Sequence, residues 1–105
     1  MADTPRTDLL ALLDDLEQEL RRLGYWQGTP PAPEAFLSTT PFSADTMAFT
    51  EWLQWVFVAR FRALVVGGHA LPGACDVRPM AEQALAGLSD CQHLLHIIGN
   101  IDDHF

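Results

Sequence analysis

The sequence predicts an all-α protein, an irregular four-helix bundle folded as a single domain over residues 1–105, with a Pro-rich connection at about 24–45. Three observations carry that expectation. Apolar residues recur at steps of three and four along most of the chain, the spacing of a helix face. No segment alternates as a half-buried strand does, and there is no internal repeat. Glycine and proline gather in a few connections between the periodic segments.

The first helix is expected in TDLLALLDDLEQELRRLG, where Leu9, Leu12, Leu13, Leu16, Leu20 and Leu23 share an arc. At 100° per residue that arc is about 100° wide, and Asp14, Asp15, Glu17, Gln18 and Arg21 lie outside it. Thr4 with Pro5, or Thr7 with Asp8, can start this helix, and Gly24 can stop it. The connection GYWQGTPPAPEAFLSTTPFSAD holds four prolines and two glycines. A short helix from Pro33 is expected to carry Phe36 and Leu37 inward, and Tyr25, Trp26 and Phe42 mark the connection as packed.

A second helix is expected to begin between Asp45 and Thr50 and to stop at Gly67-Gly68. On a regular wheel Phe49, Trp52, Val56, Ala59 and Ala63 form one apolar side, and Leu53, Phe57 and Leu64 a neighbouring one. Glu51, Gln54 and Arg62 make a narrow polar stripe, and Arg60 falls inside the apolar arc. A third helix fits PMAEQALAGL. A fourth fits SDCQHLLHIIGNIDDHF, with Ser89 and Gln92 spaced as a capping box and Leu94, Ile97, Ile98, Ile101 and Phe105 on one face.

Charge bounds the function. The chain carries a formal net charge of −8, with 14 acidic residues against six arginines and no lysine. That argues against direct binding to a nucleic-acid backbone and against docking on anionic lipid. The missing lysine excludes a Schiff base, a covalent pyridoxal attachment and a Walker A contact. No apolar run reaches the roughly 18 residues of a membrane span. MADTPRTDLL has no basic region leading into an apolar one, so no signal peptide is expected and a cytoplasmic location is the default.

The candidate sites follow from placement. Arg60 is read as one partner of a buried ion pair with Asp45, Asp76 or Glu82, or as an anion anchor beneath which a pocket opens. Glu51, Gln54 and Arg62 are read as a binding rim, beside an apolar platform of Trp52 and Trp55. His93 and His96, with Asn100 and His104, line one side of the last helix at spacings that suit a metal. That side is expected to meet water, so the residues are read as a solvated face with no metal, and no cofactor is expected. Cys75 and Cys91 are read as reduced, packed side chains, with activation of Cys75 by His69 the alternative. No serine stands in a G-x-S-x-G setting, and no catalytic residue is assigned.

TPFSADTMAFTEWLQWVFVARF followed by LPGACDVRPMAEQAL resembles the signature of the YqcC-like family of small bacterial proteins. The order of pieces agrees over roughly residues 8 to 100. The chain has Phe49 and Ala59 where the family often shows proline. The resemblance implies an irregular four-helix bundle. Some family members carry labels tied to a tRNA pseudouridine synthase; this chain lacks the R-L-D type motif of such an enzyme, so the label implies an accessory link rather than catalysis. The first functional reading is a non-catalytic interaction module with a protein partner, with self-association left open. The second is a small-ligand binder or small enzyme using a pocket beneath Arg60.

Overall fold

The structure, a computed structural model, describes residues 4–70 and 76–104. Cys75 therefore lies outside the described residues, and so does the expected alternative of its activation by His69. Within the described residues the regular structure is all helical, with four main helices joined by turns and irregular connections and no strand. α1 (Thr4–Arg22) packs chiefly against α5 (Gln92–His104) and also against the second helix. α4 (Arg78–Ala84) leans on α5.

The leucine stripe of α1 does what its spacing requires. Leu9, Leu13, Leu16 and Leu20 are fully buried, and Leu12 and Leu23 pack at the edge of the same core. Opposite them α5 contributes Leu94, Ile97, Ile98 and Ile101. Gly24 ends α1 at φ 82°, with Tyr25 N donating to Leu20 O at 2.9 Å and Gly24 N to Arg21 O at 3.1 Å. The same pair of bonds recurs at Gly68, φ 69°, where His69 N donates to Leu64 O and Gly68 N to Val65 O. These are Schellman stops, which need a left-handed residue that glycine adopts without steric cost.

The second helix is one continuous run in three parts: α2 (Phe49–Trp52), a π-helical stretch (Leu53–Val58) and α3 (Ala59–Val66). Its buried line is Leu53, Phe57, Phe61 and Val65, an advance of four residues at each step. In a regular helix four residues overshoot a full turn by about 40°. The π stretch closes its hydrogen bonds over i→i+5 and so takes up about one extra residue, which resets the phase by about 100°. This corrects the regular wheel: Ala59 and Ala63 are exposed, Val56 is half-buried, and Phe61 and Val65 face the core.

The connections also depart from expectation in places. Pro33–Leu37 forms a 3₁₀ turn, but Phe36 and Leu37 point outward, with Leu37 78% exposed. Phe42 does pack: its ring meets Trp52 edge-on at 4.8 Å and Phe49 at 6.2 Å, continuing through Phe57 to Phe61. Phe42 and Ser43 hold left-handed backbone, φ 59° and 50°, at about 1–2 kcal/mol each, which the aromatic contacts help to offset. α5 begins at Gln92 rather than Ser89, after Asp90 at φ 61°, so the expected capping box does not form. Instead Cys91 O accepts from Leu95 N at 2.9 Å.

α4 is capped from a distance. The Asp102 carboxylate on α5 accepts from Val77 N at 3.0 Å and Arg78 N at 2.8 Å. The Arg78 side chain lies over Gly99: a Cβ there would stand 2.6 Å from its Nη1.

Candidate functional site

The motif helix Phe49–Val66 positions most of the residues singled out from sequence, and the structure gives each a defined place. Glu51 sits in the first turn, where its Oε1 accepts from Ala48 N at 2.8 Å. It fills one half of a capping box; Ala48 has no side-chain acceptor to complete the other. Gln54 is buried, 5% exposed, and faces the connection. Its Oε1 accepts from Gln27 N at 2.8 Å and its Nε2 donates to Gln27 O at 2.7 Å. Next to it Trp55 Nε1 donates to Gln27 Oε1 at 3.0 Å. Three hydrogen bonds thus strap the YWQG segment onto the π stretch, and Arg21 closes its other side by lying 5.0 Å over the Trp26 ring.

Arg62 is held between two acids of α1, with Nη1 2.6 Å from Glu17 Oε1 and Nη2 2.8 Å from Asp14 Oδ1. Burial pushes the Glu17 carboxyl up, but hydrogen bonds from Arg62 and Arg21 outweigh it and leave it below the ordinary carboxylate value. Burial also disfavours the Arg62 charge, and the Glu17 and Asp14 hydrogen bonds more than compensate. The expected rim of Glu51, Gln54 and Arg62 is therefore committed to internal bonds: a cap, a strap and an interhelix tie. Trp52 lies within the aromatic row and Trp55 within the strap, so the expected platform is also part of the packing.

Arg60 is exposed, which corrects the expectation of a buried pair. The phase reset of the π stretch turns it out of the apolar arc. Among the described residues no ion pair joins it to an acid. Asp45 accepts a hydrogen bond from Ser38 Oγ, which holds its carboxyl below the usual value; Glu82 pairs with Arg78 at 3.2 Å; Asp76 is exposed. His93 and His96 are exposed on α5, their rings 6.3 Å apart and nearly parallel. Among the described residues no three His, Cys, Asp or Glu side chains gather in a way that could hold a metal ion. Cys91 is buried, and burial first, then the charges of Asp90 and Glu19, push its thiol up, away from nucleophilic use.

Among the described residues, two open clefts lie near the end of α1 and the start of α5. A cleft of about 580 Å³ has a mixed lining that includes Leu88 and Leu95 together with Arg22, Asp90, Gln92 and His93. A smaller one of about 330 Å³ is edged by Asp15 and Gln18. Arg22 and His93 line both and form the saddle between them. Arg22 grips the buried Glu19 with two bonds, Nε at 2.8 Å and Nη2 at 2.6 Å, and the first of these effects on Glu19, the Arg22 hydrogen bond, holds its carboxyl low. Neither cleft includes Arg60. Sequence reasoning passed over this trough, although the wheel places Glu19 at the border of the leucine arc with Arg22 three residues on, a spacing that pairs side chains along a helix.

Comparisons with known proteins set this geometry in context. The DUF446 family model, described as tRNA pseudouridine synthase C, matches residues 8–104. An uncharacterized protein of Haemophilus influenzae is 47% identical over 83 residues, spanning 79% of this chain and 78% of that one. YqcC of Escherichia coli K12 is 46% identical over 74 residues, 70% of this chain and 68% of that one. A Pectobacterium carotovorum protein named tRNA pseudouridine synthase C is 55% identical over 60 residues. The matched stretch is 57% of this chain but 16% of that protein. The solution NMR structure of E. coli YqcC matches with a TM-score of 0.84 at 35% identity, covering 96% of this chain and 87% of that one.

Proposed function

The chain belongs to the YqcC-like family, and on that premise we propose that it is a non-catalytic protein-interaction module that serves a tRNA pseudouridine synthase as an accessory. The observation that carries this reading is the Pectobacterium match. A stretch 55% identical to this chain makes up 16% of a longer protein bearing the synthase name. Sequence matching this chain makes up 16% of that protein but 68% of E. coli YqcC, so it occurs both inside a larger chain and as most of a small one. Such a module is a candidate for binding the larger part in trans, because covalent linkage and association solve the same problem of local concentration. The charge of −8 supports an indirect route to RNA, through the synthase rather than through phosphate contacts. The motif residues support a module over an enzyme: Glu51, Gln54 and Arg62 spend their polar atoms on the fold.

The test is a titration of the purified chain into a stand-alone tRNA pseudouridine synthase C, by calorimetry and gel filtration. A one-to-one complex with a Kd tighter than about 10 µM is expected. Separate elution and no heat at about 100 µM would overturn the reading.

A further inference from the structure

We propose that residues 38–46 form a latch that lifts from the bundle as a unit and uncovers the aromatic start of the second helix. This motion is independent of the accessory role. It follows from backbone strain held in place by one ring. Phe42 and Ser43 both have left-handed backbone, φ 59° and 50°, a region that residues with a Cβ enter only against steric resistance and that a bulky one rarely enters. Such conformations persist where surrounding contacts hold them. Here the holding contact is the Phe42 ring, edge-on to Trp52 at 4.8 Å and 6.2 Å from Phe49. Among the described residues, the hydrogen bonds of the segment run within 35–47. Ser43 N donates to Thr40 O, Thr46 N and Met47 N donate to Ser43 O, Ser38 Oγ donates to Asp45, and Thr46 Oγ1 donates to Ala35 O. Thr39, Thr40, Ala44, Asp45 and Thr46 are exposed, so bonds to water can replace these at little loss. The residues that follow are secured separately. Ala48 N donates to Glu51 Oε1 at 2.8 Å and Trp52 N to Ala48 O at 3.0 Å, so the helix start keeps its own cap when the segment leaves. Lifting gives up the Phe42 ring contacts and relieves two strained residues. It leaves Phe49 stacked on Trp52 at 5.9 Å, with the face that Phe42 covered turned to water. The relief of strain makes this opening easier than that of an unstrained loop with the same contacts.

The test is amide hydrogen exchange of the full chain, read residue by residue by NMR without urea and at low urea. The amides of Ser43, Thr46 and Met47 should exchange together, at least about tenfold faster than those of Leu13 and Ile98. Their rates should respond weakly to urea, because a local opening exposes little surface. The Trp52 amide should stay protected with its helix. Ser43→Gly accepts the left-handed backbone without strain and keeps the backbone bonds, so it should slow exchange at Thr46 and Met47 by roughly three- to tenfold. Phe42→Ala keeps the strain and removes the ring. Exchange at Thr46 and Met47 should then quicken and the Trp52 indole N–H signal should shift, with helical circular dichroism retained. Should Phe42→Ala lose helicity, Ser43→Gly and the urea series on the unaltered chain decide. Three outcomes would overturn the proposal. Exchange at 43–47 with the rate and urea dependence of α1 and α5 would deny a separate opening. Loss of Trp52 protection together with that of Met47 would reduce the motion to fraying of the helix end. Unchanged or faster exchange in Ser43→Gly would remove strain as its cause.

Discussion

Gln54 closes a two-point amide clamp on the backbone of Gln27, accepting from its N–H at 2.8 Å and donating to its carbonyl at 2.7 Å across 27 residues of chain. The arrangement copies the pairing of a strand neighbour with a side chain. Gln54→Ala strands a backbone donor and acceptor and leaves a gap under the connection. Destabilisation of about 2–3 kcal/mol is expected in urea melts. Trp55→Phe, which removes one donor to Gln27, should cost about 1 kcal/mol. A Gln54→Ala variant that melts with the wild type would show that the clamp contributes nothing.

Arg60 and Arg62 make a controlled comparison two residues apart. Arg62 ties α3 to α1 through Glu17 and Asp14, with its side chain 30% exposed and that of Glu17 22%. Arg62→Ala should cost roughly 1–2 kcal/mol, and a double-mutant cycle with Glu17→Ala should return a coupling of about 1 kcal/mol. Arg60→Ala should stay within about 0.5 kcal/mol of the wild type. Equal losses at the two positions would contradict the outward placement of Arg60.

The same ties set an acid limit. The carboxyls of Glu17 and Glu19 are held below their ordinary value by arginine hydrogen bonds, for Glu17 in spite of burial. Their folded-state values lie below the unfolded value of about 4.3. Their contribution is therefore complete above that value and is lost as pH falls through the folded values. Melting temperature should be flat from pH ~7 to ~5 and fall below pH ~4. Glu17→Gln and Glu19→Gln should each flatten that fall, and a fall of undiminished depth in both would place its origin elsewhere.

Asp102 offers a test of capping at long range. Its carboxylate satisfies Val77 N and Arg78 N at the start of α4, 25 and 24 residues earlier in the chain. Asp102→Ala should cost about 1 kcal/mol, and Asp102→Asn less, since one amide oxygen can still accept. Amide exchange should quicken over α4 before it quickens in α1. Uniform quickening would mean that α4 does not depend on this cap.

Much of this fold was legible because it rests on local rules. The leucines of α1, the two glycine stops and the apolar face of α5 each follow from spacing or from a backbone need within a few residues. The misses share a cause. A regular wheel assigns phase by counting, and the π stretch breaks the count, so the wheel puts Arg60 inside and gives Phe61 and Val65 no role. Gln54 and Asp102 bond to segments more than twenty residues away, and no local pattern announces such a partner. Phe36 and Leu37 have inward-looking chemistry but no helix long enough to turn them toward the core. The trough was missed because its elements, Asp15, Arg22, Asp90 and His93, are unremarkable until α1 and α5 lie side by side.

The π stretch also makes this helix a place where the gene can lose a codon cheaply. One residue is already surplus there, so removing Val56 turns the wide turn into an ordinary one and leaves Phe61 and Val65 aimed at the core. The same excision in the middle of α1 would rotate every later leucine off its face. Among homologous chains, length differences inside the second helix should therefore collect at 53–58, and a family member one residue shorter there would wear the same fold with a straight helix.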